Sequence, residues 1–228
     1  MPDIASNLER IHERIACAAS RACRNVDDIE LVAVSKTHPP DTIMQAIEAG
    51  QSVFGENRVQ DALPKIDTLP PHLSWHFIGH LQSNKVRKAL GKFSLFHGVD
   101  NLDLARHIDR ISGELGIHTS ILLEVNVSGE PSKFGFTPES VMAAMSDLQS
   151  LRRLRIDGLM TMAPYSEDPE NARPHFAALR TLRDTLVART SMALPHLSMG
   201  MSGDFEQGIA EGATIIRVGS AIFGERAA

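Results

Sequence analysis

The first residue in this chain that could do chemistry is a lysine closing a short apolar run. Leu31-Val-Ala-Val-Ser-Lys36 is too short and too rich in branched residues for a helix, and it reads as a buried strand. Alternation puts Val32, Val34 and Lys36 on one face. An amine among valines at a strand's carboxyl end loses solvation, which lowers its pKa, and only the neutral amine attacks an aldehyde. Lys36 is therefore a candidate Schiff-base lysine. A lysine that merely leaves the core at a strand end would look the same in isolation.

Anion-binding residues come late in the chain. Ser198-Met-Gly-Met-Ser202-Gly-Asp204 runs into a helix expected from Gly203, so Ser202 and Gly203 would offer a hydroxyl and N–H groups at a helix N-terminus. Arg217-Val-Gly219-Ser220 offers a second such turn. Each alone is an ordinary cap or turn. Arg217 shares a face with Ile215 and Gly219, although an arginine paired to a distant carboxylate fits the pattern as well. Asn57, alternating with Val53 and Gly55, is a candidate ligand neighbour. His76 and His80 are expected near strand ends and are assigned no role, since a histidine there more often serves a structural hydrogen bond.

These residues need a scaffold, and composition limits what kind. The 228 residues carry 23 Lys+Arg against 28 Asp+Glu, a net charge of −5. That gives no basic field for nucleic acid or anionic lipid. One Trp and one Tyr make no stacking platform for bases. No apolar run matches a membrane span, and Asp3 and Glu9 stand where a signal peptide would be basic. Cys17 and Cys23, six apart on one expected helix, face different ways and suit reduced thiols in a cytoplasmic protein rather than a metal site.

The periodicity predicts an N-terminal helix over 3–23, with Leu8, Ile11, Ile15, Ala18 and Ala22 on its apolar face. Strands are expected at 30–36, 52–57, 74–79, 93–99, 120–126, 154–159, 196–198 and 213–218. Helices are expected between them at 41–49, through 63, 83–90, 102–115, 138–149, 169–189 and 203–211. Strict alternation without a linker predicts a single (β/α)8 barrel spanning 1–228, with the N-terminal helix covering the gap left by a missing eighth helix. A doubly wound open sheet is the alternative, but no G-x-G-x-x-G follows the first strand. Barrel sites lie at the strands' carboxyl ends, and phosphate sites favour the loops after strands seven and eight, where Ser202 and Gly219-Ser220 fall.

Val34-Ser-Lys36, Phe54-Gly-Glu-Asn57, Trp75-His-Phe-Ile-Gly-His80-Leu-Gln-Ser-Asn-Lys85, Gly158-Leu-Met160, Leu197-Ser-Met-Gly-Met-Ser202-Gly-Asp204 and Ile216-Arg-Val-Gly-Ser220-Ala-Ile-Phe-Gly224 closely resemble the pyridoxal-phosphate homeostasis protein family. That family in turn resembles the N-terminal barrel domain of alanine racemase. The resemblance covers nearly the whole chain. It implies pyridoxal phosphate as cofactor, Lys36 as its Schiff-base lysine, and Ser202, Gly219 and Ser220 as phosphate ligands. It further implies Arg217 facing the pyridine nitrogen and Asn57 close to the ring. Lys133 matches a family lysine after strand five. Tyr165 departs from the small or apolar residue more usual there, which bears on the pocket rim.

An arginine cannot surrender its proton at neutral pH, so Arg217 would leave the pyridine nitrogen unprotonated and the ring a weak electron sink. Alanine racemase adds a tyrosine base from a C-terminal domain, which this chain, ending at Ala228, is expected to lack. The expectation is a non-enzymatic, monomeric, cytoplasmic protein that holds pyridoxal phosphate as an aldimine. It would buffer the cofactor or deliver it to apo-enzymes, with small amino acids as further ligands. The alternatives are a racemase or lyase using Lys36, and a lysine-dependent aldolase-type barrel acting on a sugar phosphate.

Overall fold

The structure, a computed structural model, describes residues 3–130 and 133–224. It opens with α1 (Ile4–Arg21), capped by Asp3, whose carboxylate accepts the Ser6 N–H at 3.1 Å. Strands and helices then alternate as β1 (Glu30–Val34), α2 (Pro40–Glu48), β2 (Val53–Glu56), α3 (Val59–Thr68), β3 (Ser74–Phe77) and α4 (Val86–Ala89). They continue as β4 (Leu95–Val99), α5 (Leu102–Leu115), β5 (Thr119–Glu124), α6 (Pro138–Ser150), β6 (Leu154–Met160) and α7 (Arg173–Thr190). The last elements are β7 (His196–Ser198), α8 (Phe205–Ala210), β8 (Ile215–Val218) and α9 (Ser220–Phe223). Every strand pairs in parallel with its neighbour and β8 pairs β1, closing an eight-stranded barrel. The expected (β/α)8 barrel with an added N-terminal helix is the observed fold.

Parallel strands covered on both faces read as near-continuous apolar runs, and here each face has its own partners. Leu31, Ala33, Phe54, Trp75, Phe77, Phe96, Ile121 and Leu123 point outward into the large core under the helices. Val32, Leu95, Leu122, Met160 and Ile215 point inward as a small apolar plug.

The N-terminal helix does cover the predicted gap. With α8 and α9 only six and four residues long, the barrel wall there needs another element. α1 packs on α2, α8 and α9, buries Leu8, Ile11, Ile15 and Ala18, and donates from Asn7 Nδ2 to the Ile222 carbonyl at 2.8 Å. It stops earlier than expected: Ala22 is its C-cap and Cys23 adopts a φ of 54° beyond it. Cys17 and Cys23, then, do not share one helix; both are exposed free thiols.

Other boundaries moved for local reasons. β1 ends at Val34 rather than at Lys36, because Thr37 takes a φ of 70° and Pro39 and Pro40 follow. The expected helices at 83–90 and 169–189 both begin as 3-10 turns, Ser83–Lys85 and Pro169–Ala172. The helix expected from Gly203 starts only at Phe205, and Ser220, read as a turn, starts α9. Among the described residues no helix is long and apolar enough to cross a membrane, and no group of His, Cys, Asp and Glu could hold a metal ion.

Candidate functional site

The carboxyl ends of β1, β2, β3, β6, β7 and β8 surround a cavity of about 440 Å³, within the range of small-molecule sites. All six residues singled out from the sequence, Lys36, Asn57, Ser202, Arg217, Gly219 and Ser220, line it. So do Thr37, His38, Ile78, Met162 and Met201, to which sequence reasoning assigned no role. His38 stacks on Phe223 with ring centroids 4.8 Å apart.

Lys36 lies two residues past the end of β1, in a turn, yet still shares the cavity with Val34. Asn57 is seated by Gly79: a Cβ there would fall 2.4 Å from the Asn57 carbonyl oxygen, so only glycine lets the end of β3 close on it. Gly219 brings the loop after β8 against β1, where a Cβ would stand 3.3 Å from the Val34 Cβ. Ser202 sits in a turn rather than at a helix N-terminus. Its Oγ accepts the N–H groups of Gly219 and Ala221 at 3.3 and 3.4 Å. A hydroxyl has two acceptor lone pairs and one proton. With both lone pairs engaged by backbone, the Ser202 proton is left to donate toward the cavity. The two late loops are thus tied together through one hydroxyl.

Arg217 is 4% exposed and forms part of the cavity wall. Its Nη1 donates to Ser198 Oγ at 2.5 Å and its Nη2 to the Thr161 carbonyl at 3.0 Å. Burial pulls its pKa down to about 10, against Glu124 and Asp204, which raise it. It therefore remains a guanidinium, a pure donor, at neutral pH. Below it runs a buried chain absent from the sequence reading. Ser198 Oγ meets His97 Nδ1 at 2.9 Å, and His97 Nε2 meets His76 Nδ1 at 3.1 Å. Because arginine can only donate, Ser198 Oγ accepts from it, and the tautomer of His97 sets the direction of the two bonds beyond. Burial depresses both histidines, His76 to about 4, with neighbouring positive charge adding to the shift. His76 stands one residue short of the end of β3, near a strand end as expected, and its ring is buried inside the barrel against His97. A signal existed in its alternation with Ile78; for His97 there was none.

The opposite side of the mouth is acidic. Glu124 is buried, and its pKa rises to about 7, first through desolvation and then through Asp100. His80 Nδ1 bonds Asp100 Oδ2 at 2.8 Å and its ring stacks on the exposed Phe134 at 4.4 Å. Lys133 pairs with Glu130 at 3.3 Å and is not a lining residue of the cavity. Tyr165 is 94% exposed and likewise stands outside it.

The family described as alanine racemase, N-terminal domain, matches residues 6–227. A pyridoxal phosphate homeostasis protein of Aquifex aeolicus is 46% identical over 220 residues, covering 96% of each chain. This chain belongs to the pyridoxal phosphate homeostasis protein family. PipY of Synechococcus elongatus PCC7942, a structure with PLP bound, superposes with a TM-score of 0.83 at 41% identity, over 94% of this chain and all of that one. Alanine racemase of Clostridium difficile 630 superposes at 0.74 with 15% identity, over 99% of this chain and 57% of that one, a likeness of fold alone. The homeostasis family thus shares the racemase barrel, and the six cavity residues occupy the carboxyl-end face where such barrels keep their sites.

Proposed function

We propose that this protein binds pyridoxal phosphate in the cavity beside Lys36 and serves pyridoxal phosphate homeostasis, holding the cofactor in reserve and releasing it to apo-enzymes. The observation that carries the reading is one cavity lined at once by a lysine, a donor-only arginine and two loops joined through a serine hydroxyl. The donor chemistry fits the cofactor's three features. Lys36 is the point of covalent attachment for the aldehyde. The hydroxyl of Ser202 and the Gly219–Ser220 backbone suit a phosphate. Arg217 suits an unprotonated pyridine nitrogen, and Asn57, lining the same cavity, would lie close to the ring. The bound PLP in PipY and the names of the close relatives support this assignment.

When bound, pyridoxal phosphate supplies a reactive aldehyde and an electron-accepting ring. The protein's residues decide how far that chemistry goes. A buried guanidinium that keeps its proton has none to give to the ring nitrogen, so Arg217 restrains the ring as an electron sink. Tyr165, the chain's single tyrosine, lies outside the cavity and is not positioned to serve as a base over it. The relatives' names accordingly describe homeostasis and not racemisation. Small amino acids would be further ligands of the same cavity. We assign the protein to the cytoplasm, a reducing compartment that suits its two exposed free cysteines, and take it to act as a monomer.

The test is in three parts. Titration with pyridoxal phosphate should generate visible absorbance, and borohydride reduction with peptide mapping should place the label on Lys36. A label on Lys133 or Lys85 alone would defeat the site assignment. The loaded protein should reactivate an apo-transaminase while exchanging α-deuterium into L-alanine negligibly; turnover at an enzyme-like rate would defeat the carrier reading.

A further inference from the structure

Behind Lys36, on the outer wall of the barrel, lies a buried polar cluster that cofactor binding leaves unexplained. Alternation turns Asn57 into the cavity and sends its neighbour Glu56 outward beneath α3, where it is 1% exposed. Glu56 Oε1 accepts from Lys65 Nζ at 2.7 Å and from Ser35 Oγ at 2.7 Å. Lys65 Nζ also donates to the Ser35 carbonyl at 3.0 Å. One ion pair therefore holds Ser35 by both its side chain and its backbone, and Ser35 immediately precedes Lys36. On the other side of Lys36, Thr37 has a φ of 70°, a left-handed conformation that β-branched residues rarely adopt. The Lys36 backbone is thus pinned before and strained after.

The cluster is also incomplete in hydrogen-bonding terms. Glu56 Oε2 is buried with no hydrogen-bond partner among the described residues. For adhesion of α3 alone, a well-packed apolar pair would serve as well or better than a buried ion pair with an orphaned oxygen. Unsatisfied groups and strained backbone that persist together are characteristic of places where geometry is held for function.

We propose that Glu56, Lys65 and Ser35 are positioning residues: they clamp the bend after β1 so that Lys36 is presented to the cofactor's aldehyde. Reactive groups must be held to within a fraction of an ångström, and loss of the supporting shell loosens the site without emptying it. The inference rests on the reading of Lys36 as the attachment point.

Two ligands separate positioning from folding. Pyridoxal phosphate carries an aldehyde; pyridoxine 5′-phosphate has an alcohol in its place, with the same ring and phosphate, and cannot bond covalently to a lysine. In Glu56→Leu/Lys65→Met, an apolar pair of similar volume, affinity for pyridoxal phosphate should fall about tenfold or more. Affinity for pyridoxine phosphate should stay at the parent value, with an unchanged circular dichroism spectrum. Ser35→Ala removes one hydroxyl and leaves the ion pair, so it should show the same selective loss, smaller in size; it decides the matter if the double variant does not fold. Equal loss for both ligands, or no loss for either, would overturn the proposal. Lys36→Ala distinguishes this from failure of the underlying reading. If Lys36→Ala binds pyridoxal phosphate like the parent, the attachment point is wrong. If it loses the aldehyde-dependent affinity while the cluster variants keep it, only the positioning role falls.

Discussion

Replacing Ser202 by alanine tests the cavity's anion-binding side most directly. The Ser202 Oγ accepts from Gly219 and Ala221 at 3.3 and 3.4 Å, long bonds whose loss exposes two N–H groups that water at the rim can serve. Their removal should cost the fold little, within about 1 kcal/mol. The proton of that hydroxyl is a different matter, because its expected acceptor is a phosphate dianion. A hydrogen bond to a charged group contributes roughly 1.5–3 kcal/mol, or about ten- to a hundredfold in affinity. Isothermal titration of the Ser202→Ala variant should therefore show that loss for pyridoxal phosphate. Unphosphorylated pyridoxal, which lacks the acceptor, should bind as it does to the parent. Ser202→Thr keeps the hydroxyl and should recover much of the affinity. Equal weakening of the two ligands would mean that Ser202 shapes the loops and does not touch phosphate, and the anion assignment would fail.

Other expectations follow from the interior. His76, depressed to about 4 by burial, takes up a proton below about pH 6.5 in the unfolded chain but not in the native one, so stability is lost as pH falls from 6.5 toward 4, by about 3 kcal/mol at most. Glu124, raised to about 7, opposes it: the unfolded carboxyl ionises near 4.5 and the native one does not, so stability falls as pH rises from 4.5 to 7. Glu124→Gln should thus make urea stability climb more steeply between pH 4.5 and 6.5 than in the parent; an unchanged slope would refute the account. Ser198→Ala leaves Arg217 and His97 without their shared buried partner and should cost about 1–3 kcal/mol in chemical denaturation, whereas a loss below about 0.5 kcal/mol would show that the chain is not coupled. Gly79→Ala drives a Cβ to 2.4 Å from backbone and should destabilise by about 2–3 kcal/mol while weakening cofactor binding; a neutral melting curve would contradict the packing. Tyr165→Ala, at a 94% exposed position, should alter neither stability beyond about 0.5 kcal/mol nor pyridoxal phosphate affinity.

The alternation of short apolar runs with helical periodicity determined the barrel by itself, because parallel strands covered on both faces admit few other arrangements. The same period of two placed Lys36, Asn57 and Arg217 on inward faces, and the rule that barrel sites gather at carboxyl ends brought Ser202 and Gly219–Ser220 to them. The (β/α)8 fold and the six cavity residues were legible for that reason. Local termini were less so. The end of β1 depends on the strained Thr37, and the place where α8 begins depends on a turn held by Met201 N–H donating to Asp204 at 2.6 Å. Neither is encoded in periodicity.

Long-range pairings needed the tertiary structure. His97 and Ser198 are separated by 101 residues, and Arg217 lies 56 residues from the Thr161 carbonyl it binds. A closed barrel makes them neighbours by curvature, which no local pattern records. Glu56 and Lys65 are residue types that ordinarily stay in solvent, and nothing local marks them as a buried pair. Only the docking of α3 over the end of β2 buries them behind Lys36.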